Sequence, residues 1–189
     1  MINLENDIAN CLSVLHSGGI VLYPTDTIWG IGCDATNQDA IRKIFSLKKR
    51  EEKKSMIILV AEEKMIFDYV TNPSQKMLSY IANNQKPTTA IFEKANNLPG
   101  NLINEDGAVA IRIVKDDFCS QLILQLQKPL VSTSANISGA AYPQNFEQIS
   151  NTIKNGVDYI VQHRQNDFTP HSPSSIIKSG SNGEIEIIR

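Results

Sequence analysis

What most constrains this chain is the way two hydrophobic periods alternate along it. Short apolar runs of strand character, GIVLYP, MIILV, TTAIF, AVAIRIV, PLVSTS, DYIVQ, SSIIK and EIEIIR, are spaced through the sequence. Between them lie stretches of helical spacing. In residues 4–16 the stripe is Leu4, Ile8, Cys11 or Leu12, and Leu15, ended by Gly18 and Gly19; in residues 37–48 it is Ile41, Ile44 and Phe45. Helices are also expected at 62–69, 73–83, 116–127 and 145–154. Interleaving of this kind predicts an α/β fold with a twisted, mixed β-sheet and flanking helices.

With 189 residues and no repeat, low-complexity tract or linker, a single domain over residues 1–189 is expected. No apolar run reaches the roughly 18 residues that a membrane helix needs, so no membrane association is expected. The first residues, MINLENDIANCLSVLHSGG, mix acids with apolar positions, unlike a basic and then continuously apolar secretion signal, and the expectation is a cytoplasmic chain. Cys11, Cys33 and Cys119 are scattered and form no C-x-x-C pair, which speaks for reduced, structural thiols. His16, His163 and His171 are too dispersed for a metal signature. Neither glycine-rich phosphate loop, G-x-x-x-x-G-K-[ST] or G-x-G-x-x-G, is present, so a nucleotide would have to be held by side chains.

The net charge of −2 excludes a protein that coats nucleic acid by bulk charge, yet seven of the eighteen Lys and Arg residues lie between Arg42 and Lys54. Helical phase sorts them. Lys48 falls four residues after Ile44 and seven after Ile41, which extends the buried stripe, whereas Lys49 does not. Strand alternation sorts other polar groups. In AVAIRIV, Arg112 shares a face with Ala108 and Ala110, so small residues leave room beside it. The strand alone fits two readings equally: an anion-gripping arginine or an exposed one. In PLVSTSAN, Ser132 and Ser134 share a face and Asn136 follows, a placement that suits a ligand at a strand end but also ordinary turn chemistry. In EIEIIR, Arg189 falls on the side of Ile185 and Ile187, where it either frays or reaches over the core into a cleft.

Several segments together, GGIVLYPTDTIWGIGCDA (18–35), the K-x-R of residues 48–50 with Lys54 downstream, PTT (87–89), VAIR (109–112) and STSANISG (132–139), resemble the YrdC/TsaC-type threonylcarbamoyl-AMP synthases, from about residue 4 to the C-terminus. The resemblance implies a concave, basic cleft on a twisted α/β sheet. It also implies condensation of L-threonine, bicarbonate or CO2, and ATP into threonylcarbamoyl-AMP and pyrophosphate, with downstream proteins passing the threonylcarbamoyl group to tRNA. By the same resemblance Lys48, Arg50, Lys54, Ser134, Asn136, Tyr142 and Arg189 face the nucleotide. Thr25, Arg112, Ser132 and Ser174 face threonine. Magnesium is expected to arrive with ATP, with no dedicated protein cage. No protein nucleophile is required, because phosphoryl-centre displacement needs positioning and charge neutralisation. Glu51, Ser55 and Val114 stand where the family often differs, changing loop stiffness rather than removing charge. An RNA-binding relative without synthase activity is the alternative that a basic cleft would also suit. The carbamoyl-transferring domain of hydrogenase maturation proteins resembles the fold too, but those chains are longer and carry zinc-binding cysteine pairs.

Overall fold

Asn37, Ser74, Asp116 and Ser150 each cap a helix by accepting backbone N–H bonds through their side chains, and these four caps mark where strand connections turn into helices. The structure is a computed structural model and describes residues 4–51, 56–180 and 182–189. The helices are α1 (Leu4–His16), α2 (Gln38–Lys48), α3 (Ile66–Tyr69), α4 (Gln75–Asn83), α5 (Asp117–Leu126) and α6 (Asn151–Lys154). The strands are β1 (Val21–Tyr23), β2 (Gly30–Gly32), β3 (Ile57–Val60), β4 (Thr88–Phe92), β5 (Val109–Ile113), β6 (Leu130–Ser134), β7 (Tyr159–Ile160), β8 (Ser175–Ser179) and β9 (Ile185–Ile187). They form one sheet in the order β7-β1-β2-β6-β3-β5-β4-β8-β9. The pairs β1/β7, β3/β5 and β4/β8 are parallel and the others antiparallel, so the sheet is mixed.

Each face of the sheet has its own apolar layer, and strand alternation decides which residue enters which. Leu22, Ile58, Val60, Ile111 and Val131 join Ile41, Ile44 and Phe45 of α2 and Met77, Leu78 and Ile81 of α4. Val21, Tyr23, Leu59 and Leu130 join Ile8, Cys11 and Leu15 of α1 and the stripe Phe118, Cys119, Leu122, Ile123 and Leu126 of α5. All three cysteines are buried free thiols. Among the described residues, no helix is long and apolar enough to cross a membrane.

Three local expectations are corrected. The helix expected at 145–154 is helical only over Asn151–Lys154. Before it, Asn145 and Gln148 side chains accept bonds from the amides of Gln148 and Gln144, which satisfies the backbone without a helix. The segment 62–69 splits into a 3₁₀ turn, Glu63–Met65, and the one-turn α3. The strand β2 has no counterpart in the sequence reading, since Gly-Ile-Gly offers neither alternation nor β-branched density. Its second glycine, Gly32, is required by close approach. A Cβ on Gly32 would press on the Val131 carbonyl oxygen and lie 2.7 Å from Tyr23 Cε1. Gly32→Ala is therefore expected to destabilise the fold by about 1–3 kcal/mol; equilibrium urea unfolding measures it, and an unchanged midpoint would contradict the packing described.

Candidate active site

One face of the central strands carries the polar side chains. Register places Ile57 beside both Ser132 and Ala110, and Leu59 beside Arg112, while Gly30 pairs with Ser134 and Thr89 with Arg112. These positions share the face that α1 and α5 cover elsewhere, and here Gly30, Ile57, Arg112, Ser132 and Ser134 floor a cleft of about 270 Å³. Its walls include Thr27, Ile28 and Trp29 from the β1–β2 loop, Arg50 after α2, Tyr142, Pro173, Ser174 and Arg189. Ser134 and Arg112 stand four strand positions apart across the ladder, about 13 Å along the strand direction. The cleft thus has two chemically distinct ends. A larger hollow of about 360 Å³, near Pro73 and Phe92, carries Glu93 and Asp106 against Lys94 and Lys178 and none of the polar groups picked out by the sequence.

At one end lies Arg112, only 3% exposed. Its Nη1 donates to Thr27 Oγ1 at 3.1 Å, and its Nη2 lies 3.0 Å from Asp26 Oδ1. That ion pair is close but not aligned as a hydrogen bond, for Oδ1 has no hydrogen-bond partner among the described residues, nor has Arg112 Nε. Asp26 Oδ2 accepts from the Lys115 amide at 3.2 Å. Burial raises the Asp26 carboxyl above the usual carboxylate range, and the Arg112 charge works the other way. Thr27 is held in turn by Thr25: the two hydroxyls are 2.9 Å apart, the Thr27 amide donates to Thr25 Oγ1, and Thr25 Oγ1 donates to the Ile28 carbonyl. Ser174 Oγ is 2.7 Å from Thr89 Oγ1, next to Arg112 in the ladder, and the Arg189 guanidinium donates to the Ser174 carbonyl.

The other end is built by the last turn of α2. Lys49 is left-handed (φ 50), and the amides of Lys49 and Arg50 close the helix on the carbonyls of Ser46 and Phe45. This reversal sends Lys49 to solvent and Arg50 into the cleft wall. Lys48 is 1% exposed; its ammonium donates to the carbonyls of Ser134 and Asn136 and reaches Asn136 Oδ1 at 3.5 Å. Ser134 Oγ donates to Asn136 Oδ1 at 2.5 Å, and Asn136 Nδ2 to the Ala140 carbonyl at 2.6 Å. Burial, with the Arg50 charge as the lesser cause, lowers Lys48 from 10.5 to about 7, and burial also lowers Arg50.

Seven of the residues expected from sequence line the cleft: Arg50, Arg112, Ser132, Ser134, Tyr142, Ser174 and Arg189. Thr25, Lys48 and Asn136 stand behind its wall, bonded to the loops that form it. Lys54 lies outside the described residues, as do Glu52, Lys53 and Ser55. Burial at 3% settles the two readings of Arg112 against the exposed one. Arg189 reaches the cleft, although Ile187 on the same strand face is 67% exposed. The sequence reading missed Asp26, Thr27 and Trp29. An acid and two threonines in the otherwise apolar LYPTDTIWG were the available signal.

Because the unfolded chain keeps an ordinary lysine value, it binds between about pH 7 and 10.5 a proton that folded Lys48 has released, so this group adds stability as pH rises through that window. Relative to Lys48→Met, wild type is expected to gain on the order of a few kcal/mol in unfolding free energy between about pH 7 and pH 10. Paired denaturation curves at both pH values measure the gain; curves that keep a constant separation would contradict it.

The sequence matches the Sua5/YciO/YrdC family, described as telomere recombination, over residues 13–189. The threonylcarbamoyl-AMP synthase of Pseudoalteromonas translucida is 28% identical over 184 residues, which span 96% of this chain and 97% of that protein. The threonylcarbamoyl-AMP synthase of Blochmanniella floridana is 34% identical over 128 residues, 66% of this chain and 68% of that one. Among solved structures, P. abyssi Sua5 complexed with L-threonine superposes with a TM-score of 0.86 at 20% identity, covering 100% of this chain and 55% of the longer Sua5 chain. The chain belongs to the Sua5/YciO/YrdC family.

Proposed function

We propose that this protein is an L-threonylcarbamoyladenylate synthase, a nucleotidyltransferase that condenses L-threonine, bicarbonate or CO2, and ATP into threonylcarbamoyl-AMP and pyrophosphate. The observation that carries the reading is the two-ended cleft, with a buried arginine at one end and a helix-terminal arginine beside a serine hydroxyl at the other. Relatives named for this activity match along nearly the whole chain.

At the first end Arg112 receives the threonine carboxylate, its free Nε adding a donor that the resting protein leaves unused. Ser132, Ser174 and the Thr25–Thr27 loop shape the pocket around the side chain and amine. Once the amine has taken up the CO2 equivalent, a carbamate oxygen attacks the α-phosphorus of ATP; the bond to the β-phosphate oxygen breaks and pyrophosphate leaves. The residues supply alignment and charge neutralisation rather than a nucleophile. Arg50, Ser134, Tyr142 and Arg189 hold the nucleotide, with Lys54 as a further cation. Lys48 and Asn136 serve it from behind, by fixing the Ser134 turn. Magnesium enters with ATP as part of the substrate and is held by phosphates and water. The activated product would be consumed by proteins that transfer threonylcarbamoyl to tRNA.

Purified protein with Mg-ATP is expected to release pyrophosphate only when both threonine and bicarbonate are added. RNA binding without such release would replace this reading with the non-catalytic one. Arg50→Ala is expected to weaken ATP binding about 10- to 100-fold with little effect on threonine, and Arg112→Ala the reverse. Calorimetric titration of each ligand measures both, and equal losses would refute the division of the cleft.

A further inference from the structure

Outside the cleft, one cluster of charged side chains touches its wall from behind. The chain leaves β7 over the carboxylate of Asp7, which is 2% exposed and accepts from Tyr159 Oη at 2.6 Å, the Gln162 amide at 3.0 Å and the His163 amide at 2.8 Å. The next residue, Arg164, is non-glycine yet left-handed, with φ 62. Such a conformation is costly unless its surroundings enforce it. Here the side chain is engaged along its whole guanidinium: Nη1 donates to the Thr25 carbonyl at 3.0 Å, Nε to Asp167 Oδ2 at 3.2 Å, and Nη2 lies 3.1 Å from His171 Nε2. Two residues beyond His171 the same segment delivers Pro173 and Ser174 to the cleft.

We propose that Arg164 is a positioning residue for the amino-acid end of the cleft, holding the Thr25–Ile28 loop against Arg112. The connection is continuous. Arg164 fixes the Thr25 carbonyl; Thr25 Oγ1 holds the Thr27 amide and hydroxyl; Thr27 Oγ1 accepts from Arg112. Asp167 and His171 orient the guanidinium, and Asp167 is itself set by the Thr169 amide, so the segment that brings in Ser174 is tied to the loop that it faces. The side-chain links that run from Arg164 end at Arg112, whereas the same loop meets the Ser134 turn through backbone bonds alone, the Ala135 amide to the Trp29 carbonyl and the Gly30–Ser134 ladder pair, which do not depend on the guanidinium. The effect should therefore fall on one substrate and not on the other. That substrate-level consequence rests on the threonine assignment proposed above; the loop-level consequence does not.

Arg164→Gly is the informative variant, because glycine removes the side chain with its guanidinium while accepting the left-handed backbone without strain. It is expected to raise the threonine dissociation constant about 10- to 100-fold, the loss typical of a charge-assisted hydrogen bond, and to leave that of Mg-ATP within about twofold. Hydrogen exchange at the amides of Thr27 and Ile28 is expected to speed up while the melting temperature stays close to wild type. Arg164→Lys, which retains one donor for the Thr25 carbonyl, is expected to fall between the two, and it carries the same measurements if the glycine variant does not fold. Unchanged exchange at Thr27 and Ile28, or equal losses for threonine and ATP, would overturn the proposal. Faster exchange in a protein whose wild type binds no threonine would instead overturn the synthase reading and leave Arg164 as the holder of the loop.

Discussion

A guanidinium buried on an interior strand has to be compensated, and the way Arg112 is compensated organises the cleft. Thr27 takes one of its donors and Asp26 supplies the opposing charge at 3.0 Å. A buried pair of this kind contributes little net stability, but either partner alone would be strongly destabilising. The β1–β2 loop is consequently drawn over the sheet until Asp26 and Thr27 meet Arg112, and the same loop brings Ile28 and Trp29 into the wall. Trp29 is seated in turn on Phe146, with ring centroids 4.9 Å apart. The geometry of a binding site follows from the need to satisfy one charge.

Lys48 solves a similar problem differently. Among the described residues no acid pairs with it; backbone carbonyls at the end of β6 and the Asn136 side chain receive its terminal nitrogen. The carbonyl of Lys48 also accepts from the Ser138 amide at 2.9 Å, so helix and turn are joined twice. The α2 terminus, Arg50 and the Ser134 turn are therefore tied together, while Arg112, Thr27, Thr89 and Ser174 are tied into a second group. The sheet between them fixes the distance over which two substrates must be aligned.

Much of this was legible in the sequence wherever a single period decided the answer. Helical phase put Lys48 inward and Lys49 outward, and strand alternation put Arg112 beside alanines and Ser132 beside Ser134. Each of these needs only local geometry. What could not be read is what depends on contacts between distant segments: the Asp26–Arg112 pair, the three Asp7 bonds that redirect the chain after β7, and Arg164 reaching Thr25. Short elements were also opaque. Gly-Ile-Gly becomes a strand because its neighbours demand close approach, and residues 145–150 lose a helix to side chains that bond their own backbone. Thr25 and Ser174 entered through family resemblance alone, and neither stands out by periodicity.

The central claim is that one face of this sheet holds an amino acid and a nucleotide end to end, with the amino-acid carboxylate on Arg112. A crystal structure of the protein with L-threonine and a non-hydrolysable ATP analogue tests it most directly. The account requires the threonine carboxylate against the Arg112 guanidinium, its amine pointing along the cleft, and the phosphates between Arg50 and Ser134. Threonine bound away from Arg112, or phosphates occupying the Arg112 end, would contradict it.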